Sequence, residues 1–82
     1  MKAVITRYAG PTETHPSLIL ATWDGGRLSY PYSHALNFGE NNRRAALDAF
    51  ARMGLDMSEM EMHTGWIHDG YAHVAEPRKS DD

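Results

Sequence analysis

Residues 31–54, PYSHALNFGENNRRAALDAFARMG, hold the one persuasive amphipathic pattern in this chain. Ala46, Leu47, Ala49, Phe50 and Met53 recur at helical spacing, while Arg43, Arg44, Asp48 and Arg52 fall largely on the other side. Asn37 with Glu40 three residues later has the form of a capping box, with Asn in place of the usual Ser or Thr. Glu40 suits the positive end of the helix dipole and Arg52 the negative end. Gly54 is placed to end the helix in a left-handed conformation. A separate short turn over 33–36, ahead of the main helix, is equally compatible with these residues.

On both sides of this helix the chain reads as strands and turns. Lys2 to Tyr8 centres on β-branched Val4, Ile5 and Thr6 and predicts a first strand. Gly10-Pro11 and His15-Pro16 bracket a loop. Ser17 to Trp23 alternates, with Leu18, Leu20 and Thr22 on one face and Ile19, Ala21 and Trp23 on the other. Asp24-Gly25-Gly26 predicts a tight hairpin returning through Arg27 to Tyr32. Beyond the helix, Leu55 to Glu61 fits either a helical turn or an extended approach. Met62 to His68 and Tyr71 to Ala75 form a second hairpin around Asp69-Gly70.

The order β-ββ-α-ββ predicts an α+β domain, an antiparallel sheet of four to five strands with the helix packed on one face. Trp23, Trp66, Ile5 and Leu20 are candidates for the sheet's share of the core, and the methionines around the helix end for filling it. A single domain is expected over residues 1–76, with 77–82 as a flexible tail.

The chain has 82 residues, 41 % of them hydrophobic and 23 % charged, which are globular values and leave room for one core. It carries no cysteine, so disulfides, thiol nucleophiles and Cys-type zinc sites are excluded. No run approaches a membrane span and no leader pattern opens the chain, so a cytoplasmic location and no membrane partner are expected. The formal net charge of −3 disfavours direct binding of nucleic acid. Charge is nevertheless uneven. Asp56, Glu59 and Glu61 crowd the segment after the helix, and Arg43 and Arg44 stand together near its start.

Catalysis finds little support. Ser33-His34 are neighbours without a glycine elbow, and Gly25-Gly26 lacks the lysine and helix of a phosphate loop. Among five histidines, His63, His68 and His73 are spaced by five, and a hairpin would bring His63 near His73 while leaving His68 at the tip. No catalytic residue, metal site or cofactor is therefore expected. Tyr30 and Tyr32 share one strand face and, with Arg43 and Arg44, make either an interface patch or part of the core under the helix.

Three blocks carry a resemblance: YAGPTET at 8–14, PYSHALNFGENNRRAA at 31–46 and DGYAHV at 69–74. They resemble small proteins of bacteriophages and prophages with Y-x-G-P-T-x-T and P-Y-x-H-A-L…E-N…A-A segments. The acidic 55–61 stretch and the C-terminal residues depart from that pattern. Proteins of this size and context include anti-CRISPR inhibitors, so the resemblance implies a non-enzymatic inhibitor acting in the host bacterial cytoplasm. Its implied partner is a bacterial protein or CRISPR surveillance complex, which it would keep from engaging target DNA. Candidate contact residues are Tyr30, Tyr32, Arg43, Arg44, Asp56, Glu59 and Glu61, with the carboxylates able to stand in for phosphates in a basic channel. The alternative is a small nucleic-acid-binding regulator using the Tyr/Arg patch. Either would be a monomer or a homodimer, paired through an exposed edge such as the first or last strand.

Overall fold

The computed structural model describes residues 2–78. Five strands and one α-helix follow the predicted order: β1 (Lys2–Ala9), β2 (Leu18–Trp23), β3 (Gly26–Pro31), α1 (Phe38–Arg52), β4 (Met60–Ile67) and β5 (Gly70–Pro77). A single 3-10 turn over Met57–Glu59 leads into β4, so the ambiguous 55–61 segment is part turn and part strand. All pairs are antiparallel and the sheet order is β3-β2-β1-β5-β4. The domain is α+β, with the helix packed on one face of the sheet.

This order corrects the expected edges. The first and last strands are internal, because β5 returns from the β4 hairpin to pair with β1. The free edges are β3 and β4, and α1 is the connection between them. Pro77 and Arg78, expected in the tail, are held in ordered structure instead. Glu76 and Pro77 belong to β5, and the Arg78 N–H donates to Glu59 O at 3.2 Å. The remaining residues of the expected tail, 79–82, lie outside the described residues.

Local chemistry sets the helix bounds. Asn37 Oδ1 accepts from the Glu40 N–H at 2.8 Å, and Glu40 Oε1 accepts from the Asn37 N–H at 3.1 Å. Two otherwise unpaired donors are satisfied in one reciprocal box. At the other end Gly54 has φ +90°, and the N–H groups of Leu55 and Gly54 donate to the Phe50 and Ala51 carbonyls. That is a Schellman stop, and a side chain at Gly54 would strain it. Asn37→Ala is expected to cost about 1 kcal/mol, lowering Tm by roughly 4–8 °C in a thermal melt.

Val4, Ile19, Ala21, Ala45, Ala46, Ala49, Phe50 and Ala75 are fully buried between sheet and helix. Alternation places Ile19 and Ala21 inside and Leu18, Leu20 and Thr22 on the far face, as the sequence predicts. Trp23 packs against this core, as do Met53, Met57, Met60 and Met62. The other expected core residues do not. Trp66 is 76 % exposed, and Ile5 and Leu20 point to the uncovered face, because the register pairs Ile5 with Thr22 and Arg7 with Leu20. Leu47 is only half-buried. Asn41, which has no place in a hydrophobic pattern, is buried at the helix start. Its Oδ1 accepts from the Ser33 N–H at 2.8 Å and its Nδ2 donates to the carbonyls of Ser33 and Asn37, each at 2.9 Å. This one amide holds the β3–α1 loop against the helix.

Candidate functional site

The helix starts partway along the sheet and leaves the end of its own face uncovered. There, β1, β3 and β4 run out in one direction and β5 begins, so Tyr8, Tyr32, Trp66 and Tyr71 come to the same rim. Their ring centroids form a continuous ladder with Phe38 from the first turn of α1. Trp66 lies 4.6 Å from Tyr71, Tyr71 lies 5.9 Å from Phe38, and Phe38 lies 6.0 Å from Tyr8. Tyr8 then meets Tyr32 edge-on at 5.4 Å, and Tyr32 meets His34 at 5.3 Å. These are the tilted and T-shaped arrangements that aromatic quadrupoles prefer. Five strands at 4.7–4.9 Å spacing make the row about 19 Å long.

The ladder is open to solvent along much of that length. Trp66 is 76 % exposed, Tyr8 43 % and Phe38 37 %. Large side chains left uncovered in a contiguous row are a feature of interaction surfaces, whereas a single exposed aromatic needs no explanation. Local order supports the row: the Tyr8 hydroxyl donates to Ser17 Oγ at 3.0 Å, and the Tyr32 N–H donates to Ser17 O at 3.0 Å. The surface is therefore preformed, which lowers the entropy lost on binding.

Beneath the ladder lies a buried polar group. His73 is 1 % exposed, with Thr6 Oγ1 at 2.8 Å from Nε2 and Thr64 Oγ1 at 2.9 Å from Nδ1. Burial, helped by the nearby Arg43 charge, pushes its pKa down to about 4, so the imidazole is neutral at pH 7. The ring sits 6.0 Å from Tyr71 and fixes the floor under it.

The predicted contact residues are divided by the fold. Tyr30 points under α1, where its hydroxyl donates to Asp48. Burial and that carboxylate push the phenol up to about 12, while Tyr30 and Arg52 hold the Asp48 carboxyl below its usual range. Tyr30 is thus tied into the helix–sheet contact, and Tyr32, two residues on, joins the ladder. Arg44 Nη2 donates to Pro31 O at 3.1 Å on the β3 side. Arg43 lines an open groove with Met57, Met60 and Glu61 at the β4 edge, and it also lines a shallow hollow with Arg44, Glu40 and Leu47 on the helix surface. Asp56 caps the 3-10 turn, its Oδ1 accepting from the Ser58 N–H at 3.0 Å. Glu59 is exposed, and Glu61 points to the uncovered face beside His63.

The histidine pair does not form. Register sets His63 opposite Val74 and Thr64 opposite His73, which puts His63 and His73 on opposite faces of the sheet. Ser33 and His34 are likewise occupied elsewhere: Ser33 Oγ accepts from the Ala35 N–H at 3.3 Å, and His34 stacks at the end of the ladder.

Sequence reasoning missed Tyr8, Phe38, Trp66 and Tyr71 as a group because they are as much as 63 residues apart. One usable signal was present. In an antiparallel sheet, an aromatic at the last positions of β1, β3 and β4 and at the first of β5 converges on a single rim.

The fold and site together define a small single-helix antiparallel sheet protein with an exposed aromatic row and no membrane-spanning helix among the described residues. In comparisons with protein-family models, curated proteins and solved structures, none matches the chain.

Proposed function

We propose that this protein is a non-enzymatic binding module that inhibits a bacterial protein or ribonucleoprotein by occupying its surface, with the aromatic ladder as the contact. The observation that carries this reading is the row Trp66–Tyr71–Phe38–Tyr8–Tyr32, in which Trp66, Phe38 and Tyr8 are exposed and Tyr71 and Tyr32 are half-buried. Tyr and Trp are enriched among the few residues that supply most of an interface's energy. The acid surplus favours a protein surface over a bare phosphate backbone as the counterpart. An anti-CRISPR role rests on the phage-protein resemblance of residues 8–14, 31–46 and 69–74. Arg44, exposed and bonded to Pro31 O beside the Tyr32 end of the row, supplies a charged contact at the margin of such a footprint.

Two assays test the proposal. Expression in CRISPR-immune bacteria should restore phage plating, and tagged protein should retain surveillance-complex subunits. Trp66→Ala should weaken retention by about 30-fold or more while shifting Tm by no more than a few degrees, since most of the indole already faces water. Retention equal to wild type would remove the ladder from the interface. Failure of both plating and retention across hosts with different CRISPR types would remove the anti-CRISPR role. Binding of short single-stranded DNA or RNA that weakens steeply between 50 and 200 mM salt would favour the nucleic-acid alternative, with the rings acting as a stacking platform.

A further inference from the structure

We propose that Glu61, His63 and Glu76 form a site for a divalent transition-metal ion of the zinc class, on the sheet face that α1 leaves bare. Glu61 and His63 are two apart on edge strand β4, so their side chains leave the same face. The register sets Glu61 directly opposite Glu76 of β5, which completes the set. His63 Nε2 lies 2.9 Å from Glu76 Oε1 and 3.8 Å from Glu61 Oε2. One donor atom from each residue lies within 4.8 Å of the others. Tetrahedral ligands held at 2.0–2.1 Å from zinc stand about 3.3 Å apart. The two imidazole–carboxylate separations straddle that value, and side-chain rotation closes the rest.

Charge gives a second, independent reason. Two carboxylates directly opposite in an antiparallel pair repel one another. Among the described residues His63 is the one basic side chain in ion-pair range of either. Arg78, at the same edge, gives its Nε to Met60 O at 3.1 Å. A cation between the carboxylates relieves the repulsion that the fold otherwise carries. One imidazole nitrogen with two carboxylate oxygens suits zinc or a first-row neighbour, whereas Mg²⁺ and Ca²⁺ favour all-oxygen sets. The side chains of Glu61, His63 and Glu76 are 53 %, 58 % and 34 % exposed, so an ion enters without any opening of the fold. The metal takes the Nε2 lone pair, and the proton shared with Glu76 passes to water or to Nδ1. Bound there, the ion ties the free edge strand β4 to β5.

Calorimetric titration of the EDTA-stripped full chain with zinc chloride tests the site. We expect one ion per chain, with affinity reduced at least tenfold in His63→Ala and in Glu76→Gln; even the outer partners of metal ligands are worth about 10–100-fold. His34→Ala and His68→Ala, at exposed histidines elsewhere, should leave the affinity unchanged. Thermal melts give a second readout. Zinc at a hundredfold above Kd should raise the wild-type Tm by about 11–22 °C and leave that of His63→Ala unmoved. Undetectable binding below millimolar zinc, or equal binding by His63→Ala and Glu76→Gln, would overturn the assignment.

Discussion

Phe50→Ala is expected to cost about 3–5 kcal/mol of stability, read from urea denaturation followed by circular dichroism. Phe50 is the largest wholly buried side chain, and its neighbours explain why the loss falls toward the upper part of that range. Five of the eight buried apolar residues are alanines: Ala21, Ala45, Ala46, Ala49 and Ala75. Alanine has no rotamer with which to fill a space, so the hole left by the ring stays open. A chain of this size has about 4–12 kcal/mol of total stability, and the change consumes much of it. Phe50→Leu, which keeps most of the volume, should cost far less. An alanine variant that melts within a few degrees of wild type would mean that the helix does not rest on this residue.

Acid is expected to destabilise the fold well above the range in which carboxylates titrate, and His73 is the reason. Its folded pKa of about 4 lies below the ordinary imidazole value of 6.5. Above pH 6.5 both folded and unfolded chains hold His73 neutral, and its burial has no pH-linked cost. Between 6.5 and 4 the unfolded chain binds a proton that the folded chain refuses, so stability falls as pH falls. At about 1.4 kcal/mol per pH unit, the loss between pH 7.5 and 4.5 is about 2–3 kcal/mol. Asp48, Asp56 and Asp69 also have carboxyls held low by their hydrogen bonds, but their share is lost only below the ordinary value of 3.8. Urea midpoints at the two pH values measure the His73 part nearly alone. His73→Gln keeps a side chain able to bond Thr6 and Thr64 and should flatten the dependence over this window. An equal pH slope in that variant would assign the effect to other groups.

The helix was readable almost to the residue because its signals are local. The Asn37–Glu40 box, the apolar stripe through Phe50 and the Gly54 stop each lie within a few residues of the contact they make. The turns at Asp24-Gly25 and Asp69 were legible for the same reason, Gly25 having φ +99°. Strand alternation also divided β2 correctly between core and solvent. The expectation that Trp66, Ile5 and Leu20 join the core failed for a different reason. Hydrophobicity marks them as core, but this sheet has a helix on one face only and a helix too short to cover that face. Tyr30 and Tyr32 show the same limit. They leave one strand on one side, yet one is anchored to Asp48 under the helix and the other is a rung of the exposed ladder.

By itself, then, the sequence determined the element types, their order, the helix caps and the absence of cysteine chemistry, since these depend on neighbours in the chain. Tertiary structure alone decided that β1 is central, that β3 and β4 are the edges, that five scattered rings form one row, and that Glu61 and Glu76 face each other beside His63. The physical reason is register. Pairing one strand against another fixes which distant side chains share a face and a level, and shifting it by a single residue would exchange the two faces.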